Sequence, residues 1–277
     1  MTQALPEPAP RPWLPYEDRP PCCEPHPWVE VSDLNLVYGK KTALRGIHAT
    51  IHKGCITALV GPSGCGKTSF LMSINRLCEL IPGCKVSGSI RLDGEEILGT
   101  KQDLVQLRRR IGMIFQKPNP FPFSIRKNLV FPLKEHGVRE GLEDLVEEAL
   151  RDVGLWEEVK DRLDAAALQL SGGQQQRLCL ARALVLKPEV LLLDEPCSAL
   201  DPMASGVVED MIVRLRGRFT VVVVTHNLAQ ARRIADHVGV FWVRDGAGSL
   251  IEFGSARQIF EDPQHELTKA YVSGRRG

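Results

Sequence analysis

The chain has 277 residues, of which 43% are hydrophobic and 25% are charged, and this usage excludes collagen-like, coiled-coil and wholly disordered chains. Lysine and arginine (35) nearly balance aspartate and glutamate (34), so no overall charge attracts nucleic acid, and we expect no nucleic-acid partner. No apolar run approaches the roughly 18 residues that span a bilayer, and the first residues do not resemble a secretory signal. We therefore expect a folded protein that stays in the cytosol, with its eight scattered cysteines as reduced thiols.

The N-terminal segment differs from the rest of the chain. Residues 1–27 contain nine of the nineteen prolines, and proline removes a backbone donor and restricts φ. We expect this segment to be a disordered extension. Strand-like text begins at Trp28, and residues 28–55 together with 85–100 are expected to form a small antiparallel β part.

The remaining chain alternates between helical and strand patterns. A helix is expected after the apolar run ITALV, and a basic helix at 101–110 precedes the strand IGMIF. Residues 125–168 read as several helices with little strand. The last alternation places the strands VLLLD and TVVVV between helices at 173–186, 202–215 and 227–235. Such alternation predicts a mostly parallel sheet in an α/β core, with an inserted helical lobe at about 117–170.

A glycine-rich segment follows the ITALV strand and opens a helix. It matches the phosphate-loop pattern G-x-x-x-x-G-K-S/T, in which backbone N–H groups surround phosphate oxygens. We expect Lys67 to reach the terminal phosphates and the Thr68 hydroxyl to bind Mg²⁺; the alternative is a plain glycine turn. The predicted nucleotide-binding residues here are Gly61, Pro62, Ser63, Gly64, Cys65, Gly66, Lys67 and Thr68. The core is therefore predicted to be a P-loop NTPase.

Two carboxylates follow the apolar strand VLLL. Ligands of parallel sheets bind at the carboxyl ends of the strands, where Asp194 and Glu195 stand. Asp194 is suited to the Mg²⁺ shell, and Glu195 is suited to orient and partly deprotonate an attacking water. The alternative is an acidic capping pair before Pro196.

Two further polar residues follow strand ends. Gln116 comes after IGMIF, and His226 comes after TVVVVT. We expect Gln116 to contact Mg²⁺ and water, and His226 to hydrogen-bond a γ-phosphate, since phosphoryl transfer depends on such positioned groups. Each, taken singly, is also compatible with an ordinary residue at the rim of the sheet.

A second anion-binding helix start occurs at LSGGQQQR. Ser171, Gly172, Gly173 and Gln174 precede or open a helix, where exposed N–H groups and the helix dipole favour phosphate. One nucleotide does not need two such phosphate sites from one chain.

The order of these motifs resembles that of ATP-binding cassette ATPases over about residues 28–277. The resemblance rests on the phosphate loop, Gln116, LSGGQQQR, VLLLDEP, Ser198-Ala199-Leu200-Asp201 and His226. It implies two copies arranged head to tail, with the Ser171 turn of one copy closing on the ATP that Lys67 of the other holds. It further implies that Tyr38 stacks on adenine, although ordinary packing is an equal alternative for a lone tyrosine. The resemblance also implies that Asp201 lies at the seam, which is the boundary between the two nucleotide sites of the dimer.

Several short segments of the sequence resemble those of the ATP-binding subunits of bacterial phosphate importers. The matching text is QKPNPFPFSI, INRL, LIPG, LRRRIGM, SGGQQQRLCLARAL and LLLDEPCSALDP. The resemblance implies ATP-driven phosphate import through two membrane subunits, an indirect partner in a phosphate-binding protein, and a peripheral position on the cytoplasmic face of the membrane. The chain departs from the family in reading GKTSF for GKSTF and GRRG for GRFG.

Phe121 and Phe123 stand in a loop that prolines stiffen. We interpret them as a docking surface for a membrane partner, and the alternative is that they anchor the helical lobe. Two other functions stay open: an importer ATPase for another solute, such as an amino acid or molybdate, and a soluble ATPase that acts on DNA or ribosomes.

Overall fold

The computed structural model describes residues 26–99 and 102–275. The predicted N-terminal extension therefore lies almost wholly outside the described residues. Ten strands form one sheet in the order β5-β4-β1-β2-β10-β9-β3-β8-β7-β6. The strands are β1 (Pro27–Tyr38), β2 (Lys41–His52), β3 (Ile56–Val60), β4 (Cys84–Leu92), β5 (Glu95–Glu96), β6 (Ile111–Ile114), β7 (Val190–Asp194), β8 (Thr220–Val224), β9 (His237–Arg244) and β10 (Ala247–Ser255).

Ten α-helices in the described residues accompany the sheet. They are α1 (Lys67–Ile74), α2 (Leu104–Arg110), α3 (Ile125–Glu135), α4 (Leu142–Asp152), α5 (Trp156–Val159), α6 (Gly172–Leu184), α7 (Pro202–Arg214), α8 (Leu228–Ile234), α9 (Ala256–Glu261) and α10 (Glu266–Val272). Within these described ranges, no helix has the length and apolar character needed to cross a bilayer.

The sheet has a parallel half and an antiparallel half. Strands β9, β3, β8, β7 and β6 pair in parallel, whereas β1 pairs antiparallel with both β2 and β4. This arrangement confirms the predicted α/β class. The antiparallel pairing of β9 with β10 lies outside the predicted β part at 28–55 and 85–100.

The central strands are buried on both faces. Every residue of β3, β7 and β8 is buried, and alternate residues enter different hydrophobic clusters. Leu191 and Leu193 pack with helices α3, α4 and α6, while Val190 and Leu192 pack on the side of α1. These strands consist of uninterrupted apolar residues because both of their faces are buried.

The segment between β6 and β7 is helical. Helices α3, α4 and α5 occupy it, and α3 and α4 contact each other and α6. Leu129, Val146 and Leu150 are fully buried there and share a cluster with residues of the parallel strands. The described residues thus place helices where the lobe was expected, and the division of the chain into a separate lobe stays a prediction.

Five cysteines in the described residues are free thiols: Cys65, Cys78, Cys84, Cys179 and Cys197. The expectation that the other cysteines are reduced stays a prediction.

Strand β10 approaches the backbone of the phosphate loop. A Cβ atom added at Gly248 would lie 2.2 Å from the carbonyl oxygen of Cys65 and 2.9 Å from that of Ala43. Such separations are shorter than real contacts, so only glycine lets the strand pass this close. The close approach holds the loop against the sheet.

We predict that Gly248→Ala lowers the free energy of unfolding by roughly 1–3 kcal/mol, because backbone atoms must move to admit the methyl group. The matched control is Gly206→Ala in α7, where an added Cβ meets nothing within 4 Å and alanine favours the helix by about 0.5–1 kcal/mol. Urea unfolding of the two variants measures the difference. Equal stabilities would contradict the steric argument.

Candidate active site

The phosphate loop connects β3 to α1 through left-handed backbone. Gly61, Gly64 and Gly66 have φ values of 142°, 78° and 97°, a region that favours glycine. A Cβ at Gly61 would also lie 2.2 Å from the carbonyl oxygen of Phe241. The buried Lys67 ammonium donates to the carbonyl oxygens of Gly61 (2.7 Å) and Pro62 (2.8 Å). The loop is therefore closed around its own lysine.

Thr68 and Asp194 meet beside this loop. The Thr68 hydroxyl donates to Oδ1 of Asp194 at 3.0 Å. Burial raises the pKa of the Asp194 carboxyl and neighbouring Glu195 raises it further, while the hydrogen bond from Thr68 lowers it. Two adjacent hard oxygen donors, one on a buried carboxylate, are the kind of ligand set that Mg²⁺ prefers, so the residues present fit this ion.

Glu195 is the residue on which the strand-end side chains converge. Its Oε2 accepts a hydrogen bond from Nε2 of Gln116 at 3.1 Å and lies 3.3 Å from Nδ1 of His226. The Glu195 backbone has φ 46° and donates its N–H to the carbonyl oxygen of Val224 at 3.0 Å. The structure thus brings Gln116, Glu195 and His226 together, next to Asp194.

A cavity of about 440 Å³ opens beside these residues. Glu195 and His226 line it together with Ser198 and Asn227. The volume lies within the range of small-molecule sites. The candidate carboxylate therefore faces open space rather than packed protein.

The LSGGQ turn occupies a different position. Ser171 is the N-cap of α6: its Oγ accepts from the Gln174 N–H, and Oε1 of Gln174 accepts from the Ser171 N–H. Ser171 and Gly172 are exposed. Among the described residues, the hydrogen bonds of Ser171 stay within the first turn of α6, where its carbonyl oxygen also accepts from the Gln175 N–H at 2.8 Å, and none reaches the phosphate loop. A single chain does not bring the two predicted phosphate sites together.

Tyr38 and Cys65 both lie close to the start of α1. Tyr38 ends β1 and is half-buried; burial raises the pKa of its hydroxyl, and a hydrogen bond with the Ser69 side chain lowers it. Cys65 is fully buried, and burial raises the pKa of its thiol while nearby Lys67 lowers it. Contact of Tyr38 with the first turn of α1 places its ring near the loop, and its role toward adenine stays a prediction.

An aromatic cluster is formed by the loop that follows Gln116 and by α3, and it has one member that was not expected. The rings of Phe121 and Phe123 have centroids 5.9 Å apart, and Phe131 of α3 lies 5.7 Å and 5.9 Å from them. Phe123 is 39% exposed and Phe131 is 43% exposed. The sequence around Phe131 has a helical pattern and gives no indication that this residue contacts Phe121 and Phe123.

A buried carboxylate also escaped the sequence reasoning. Glu209 of α7 accepts from Nε2 of Gln230 at 3.2 Å and forms an ion pair with Arg233. Burial raises the pKa of Glu209, and Arg233 lowers it. The Gln230 N–H also donates to Oδ1 of Asn227 at 3.1 Å, so Glu209 fixes the start of the helix that follows His226.

Residues 44–198 match the sequence model of a family described as ABC transporter. The chain belongs to the ABC transporter family. A solved structure of cbiO1 from Clostridium perfringens, described as part of the ABC transporter complex cbiONQ, superimposes with a TM-score of 0.74 at 27% identity, covering 89% of this chain and 96% of that chain.

Curated members of the ABC transporter family match over almost the full chain. Phosphate import ATP-binding protein PstB 1 of Nitrosococcus oceani is 60% identical over 263 residues, which cover 94% of this chain and 95% of that protein. Phosphate import ATP-binding protein PstB 2 of Bacillus licheniformis is 51% identical over 251 residues, 90% of each chain. PstB 1 of Enterococcus faecalis is 47% identical over 251 residues, 90% of this chain and 98% of that protein.

Proposed function

We propose that this protein is the ATP-hydrolysing subunit of a phosphate importer, which couples MgATP binding and hydrolysis to transport through partner membrane subunits. One observation carries the enzymatic part: Glu195 lies between Gln116 and His226, beside the Thr68–Asp194 pair at the phosphate loop. The phosphate cargo is supported by relatives that are 47–60% identical over at least 90% of the chain and bear the name phosphate import ATP-binding protein.

ATP binding uses the loop at the start of α1. The Lys67 ammonium exchanges the carbonyl oxygens of Gly61 and Pro62 for phosphate oxygens, and the loop N–H groups and helix dipole add favourable contacts with the anion. Thr68 and Asp194 hold Mg²⁺, which when bound neutralises phosphate charge. Tyr38, in contact with Ser69, stacks on the adenine.

Hydrolysis requires an oriented water and a proton acceptor. Glu195 accepts the proton of the attacking water, because its carboxylate faces the cavity and is positioned by Gln116 and His226. Gln116 orients the water and His226 donates to the γ-phosphate. These groups are positioned by strand ends before the reaction, which is the main requirement of phosphoryl transfer.

Two copies arranged head to tail complete each site. In the described part of the chain, no hydrogen bond joins Ser171 to the phosphate loop of its own chain, and Ser171 and Gly172 are exposed. Ser171, Gly172 and Gly173 therefore close on the ATP of the second copy. Gly173 of α6 lies against Ala204 of α7, because an added Cβ at Gly173 would be 3.1 Å from the Cβ of Ala204. Asp201 caps α7 by accepting from the Met203 and Ala204 N–H groups. The Ser171 turn and Asp201 therefore face one seam.

The membrane partners are two permease subunits, which receive phosphate from a binding protein on the opposite side. The protein is peripheral and lies on the cytoplasmic face of the cell membrane, where ATP is available. Phosphate itself does not contact this chain. The aromatic cluster of Phe121, Phe123 and Phe131, in which Phe123 and Phe131 are exposed, is the docking surface for these subunits, since exposed aromatic side chains are typical anchors of interfaces.

We predict that Glu195→Gln binds ATP normally but loses turnover by about 10²–10⁴-fold, the usual contribution of a general base, and accumulates as ATP-bound dimers. Phosphate release and size-exclusion chromatography with MgATP measure the two effects. The matched control is Glu261→Gln, which removes a surface carboxylate paired with Arg257 in α9, and it is expected to behave as the parent chain. Near-normal hydrolysis by Glu195→Gln would refute the assigned base.

Reconstitution tests the cargo. The chain is combined in vesicles with phosphate-importer membrane subunits, and ATP hydrolysis is measured with phosphate-loaded binding protein. We expect stimulation by phosphate and none by molybdate-loaded or amino-acid-loaded binding proteins with their own permeases. Stimulation by one of those systems in place of phosphate would assign another cargo.

We predict that Phe123→Ala with Phe131→Ala leaves basal ATP hydrolysis unchanged and weakens stimulation by the membrane subunits. Interface aromatics typically contribute about 1–2 kcal/mol each, so the half-saturating concentration of the membrane complex should rise about tenfold or more. Val105→Ala, at a 62% exposed position of α2, is the control. Unaltered stimulation of the double variant would remove the docking assignment.

A further inference from the structure

The loop at 117–124 is held in one shape by a buried amide. Asn128 of α3 accepts a hydrogen bond from the Phe121 N–H (2.8 Å) and donates to the carbonyl oxygens of Phe121 (3.2 Å) and Ser124 (3.0 Å). Prolines at 118, 120 and 122 have no N–H group to offer. Side chains from neighbouring helices therefore add to the few backbone bonds of the loop, which include those from the Phe123 N–H to the Phe121 carbonyl oxygen (2.7 Å) and from the Ala167 N–H to the Phe123 carbonyl oxygen (2.9 Å).

Arg182 of α6 is the second of these side chains. Its Nη1 donates to the carbonyl oxygen of Asn119 and its Nη2 donates to Oδ1 of the same residue, both at 3.0 Å. The guanidinium carbon lies 4.2 Å from the centre of the Phe121 ring, and Nη1 lies 3.4 Å from Oδ1 of Asn128. One planar cation thus contacts the backbone, the amide and the aromatic ring of the loop.

The charge of Arg182 has no carboxylate partner within the part of the chain that the structure describes. Burial lowers the pKa of this guanidinium, and neutral amide oxygens and a ring face balance the charge. A lysine presents a point charge and does not reproduce the fork and the stacking together. The contact is therefore specific to arginine, and losing it leaves a partly buried cation unsatisfied.

Arg182 and Ser171 belong to one helix. α6 extends from Gly172 to Leu184, so the Cα atom of Arg182 lies eleven residues, about 16 Å along the axis, beyond the exposed Ser171 turn. Leu178, Leu180 and Ala181 are buried between these ends. A packed helix moves as a unit, so displacement at Ser171 reaches Asn119.

We propose that Arg182 is a positioning residue that couples closure of the Ser171 turn on the twin's ATP to the conformation of the 117–124 loop. The inference rests on the proposed function for the identity of ATP and of the membrane partner. In this proposal, the two hydrogen bonds from Arg182 to Asn119 transmit nucleotide binding to the position of Phe123, which contacts that partner. A static brace, by contrast, holds the loop identically with and without nucleotide.

Amide hydrogen exchange in the full chain distinguishes these two roles. All arms carry Glu195→Gln so that ATP persists, and exchange at Phe121 and Phe123 is followed without nucleotide and with MgATP. With Arg182 present, we expect ATP to change these exchange rates about tenfold or more. With Arg182→Lys, we expect dimers to form with ATP while the change falls below about twofold.

Two further variants make the test robust. Asn119→Ala, at an exposed position, removes only the side-chain half of the fork, and it is expected to reduce the nucleotide-dependent change even where Arg182→Lys fails to fold. Arg218→Lys is the matched control, because Arg218 forks onto Asp152 at 2.7 Å and 2.9 Å and stacks near Phe219. It should leave the change intact.

The outcomes separate this inference from the proposed function. ATP-dependent dimers with an equal exchange change in Arg182→Lys and the Arg182 chain would overturn the inference alone, as would dimers in which ATP changes nothing at Phe121 and Phe123. Absence of ATP-dependent dimers in the Arg182 chain would overturn both. A cargo other than phosphate would leave the exchange result standing.

Discussion

Strands β3, β8 and β7 pair in parallel with every residue buried, and their register sets Leu59, Val224 and Asp194 level at one edge of the sheet. The chain leaves each strand there with polar residues, since the next residues have no apolar layer to enter. The phosphate loop, Glu195 and His226 consequently share one rim. A one-residue slip of β7 against β8 would move Asp194 away from Thr68, so strand register controls the geometry of the site.

Around this rim, neighbouring elements restrict how each group is presented. Gly248 and Phe241 bring strand backbone against the phosphate loop at distances that only glycine permits. Glu209 and Gln230 tie α7 to the start of α8, next to His226. Contacts that do not involve the reacting groups thus fix the position of the elements that carry the site.

The two ends of α6 face different neighbours. Its N-terminus presents an exposed capped turn, and its last turns reach the proline-stiffened loop through Arg182. That loop carries the exposed aromatic cluster. In the proposed function, the N-terminus of α6 lies at the nucleotide between the two copies, and its C-terminal turns lie near the membrane docking surface. A short packed helix therefore connects these two surfaces directly.

Local sequence determined the phosphate loop, the α/β class and the strand-end residues Gln116, Asp194, Glu195 and His226, because glycine patterns and apolar strands act over a few neighbouring residues. Only the tertiary structure decided that Gln116 and His226 both meet Glu195, that Phe131 joins Phe121 and Phe123, and that Arg182 holds Asn119. It also added the β9–β10 pairing. These contacts join residues far apart in the chain, and their formation depends on how the helices and strands pack rather than on any local pattern.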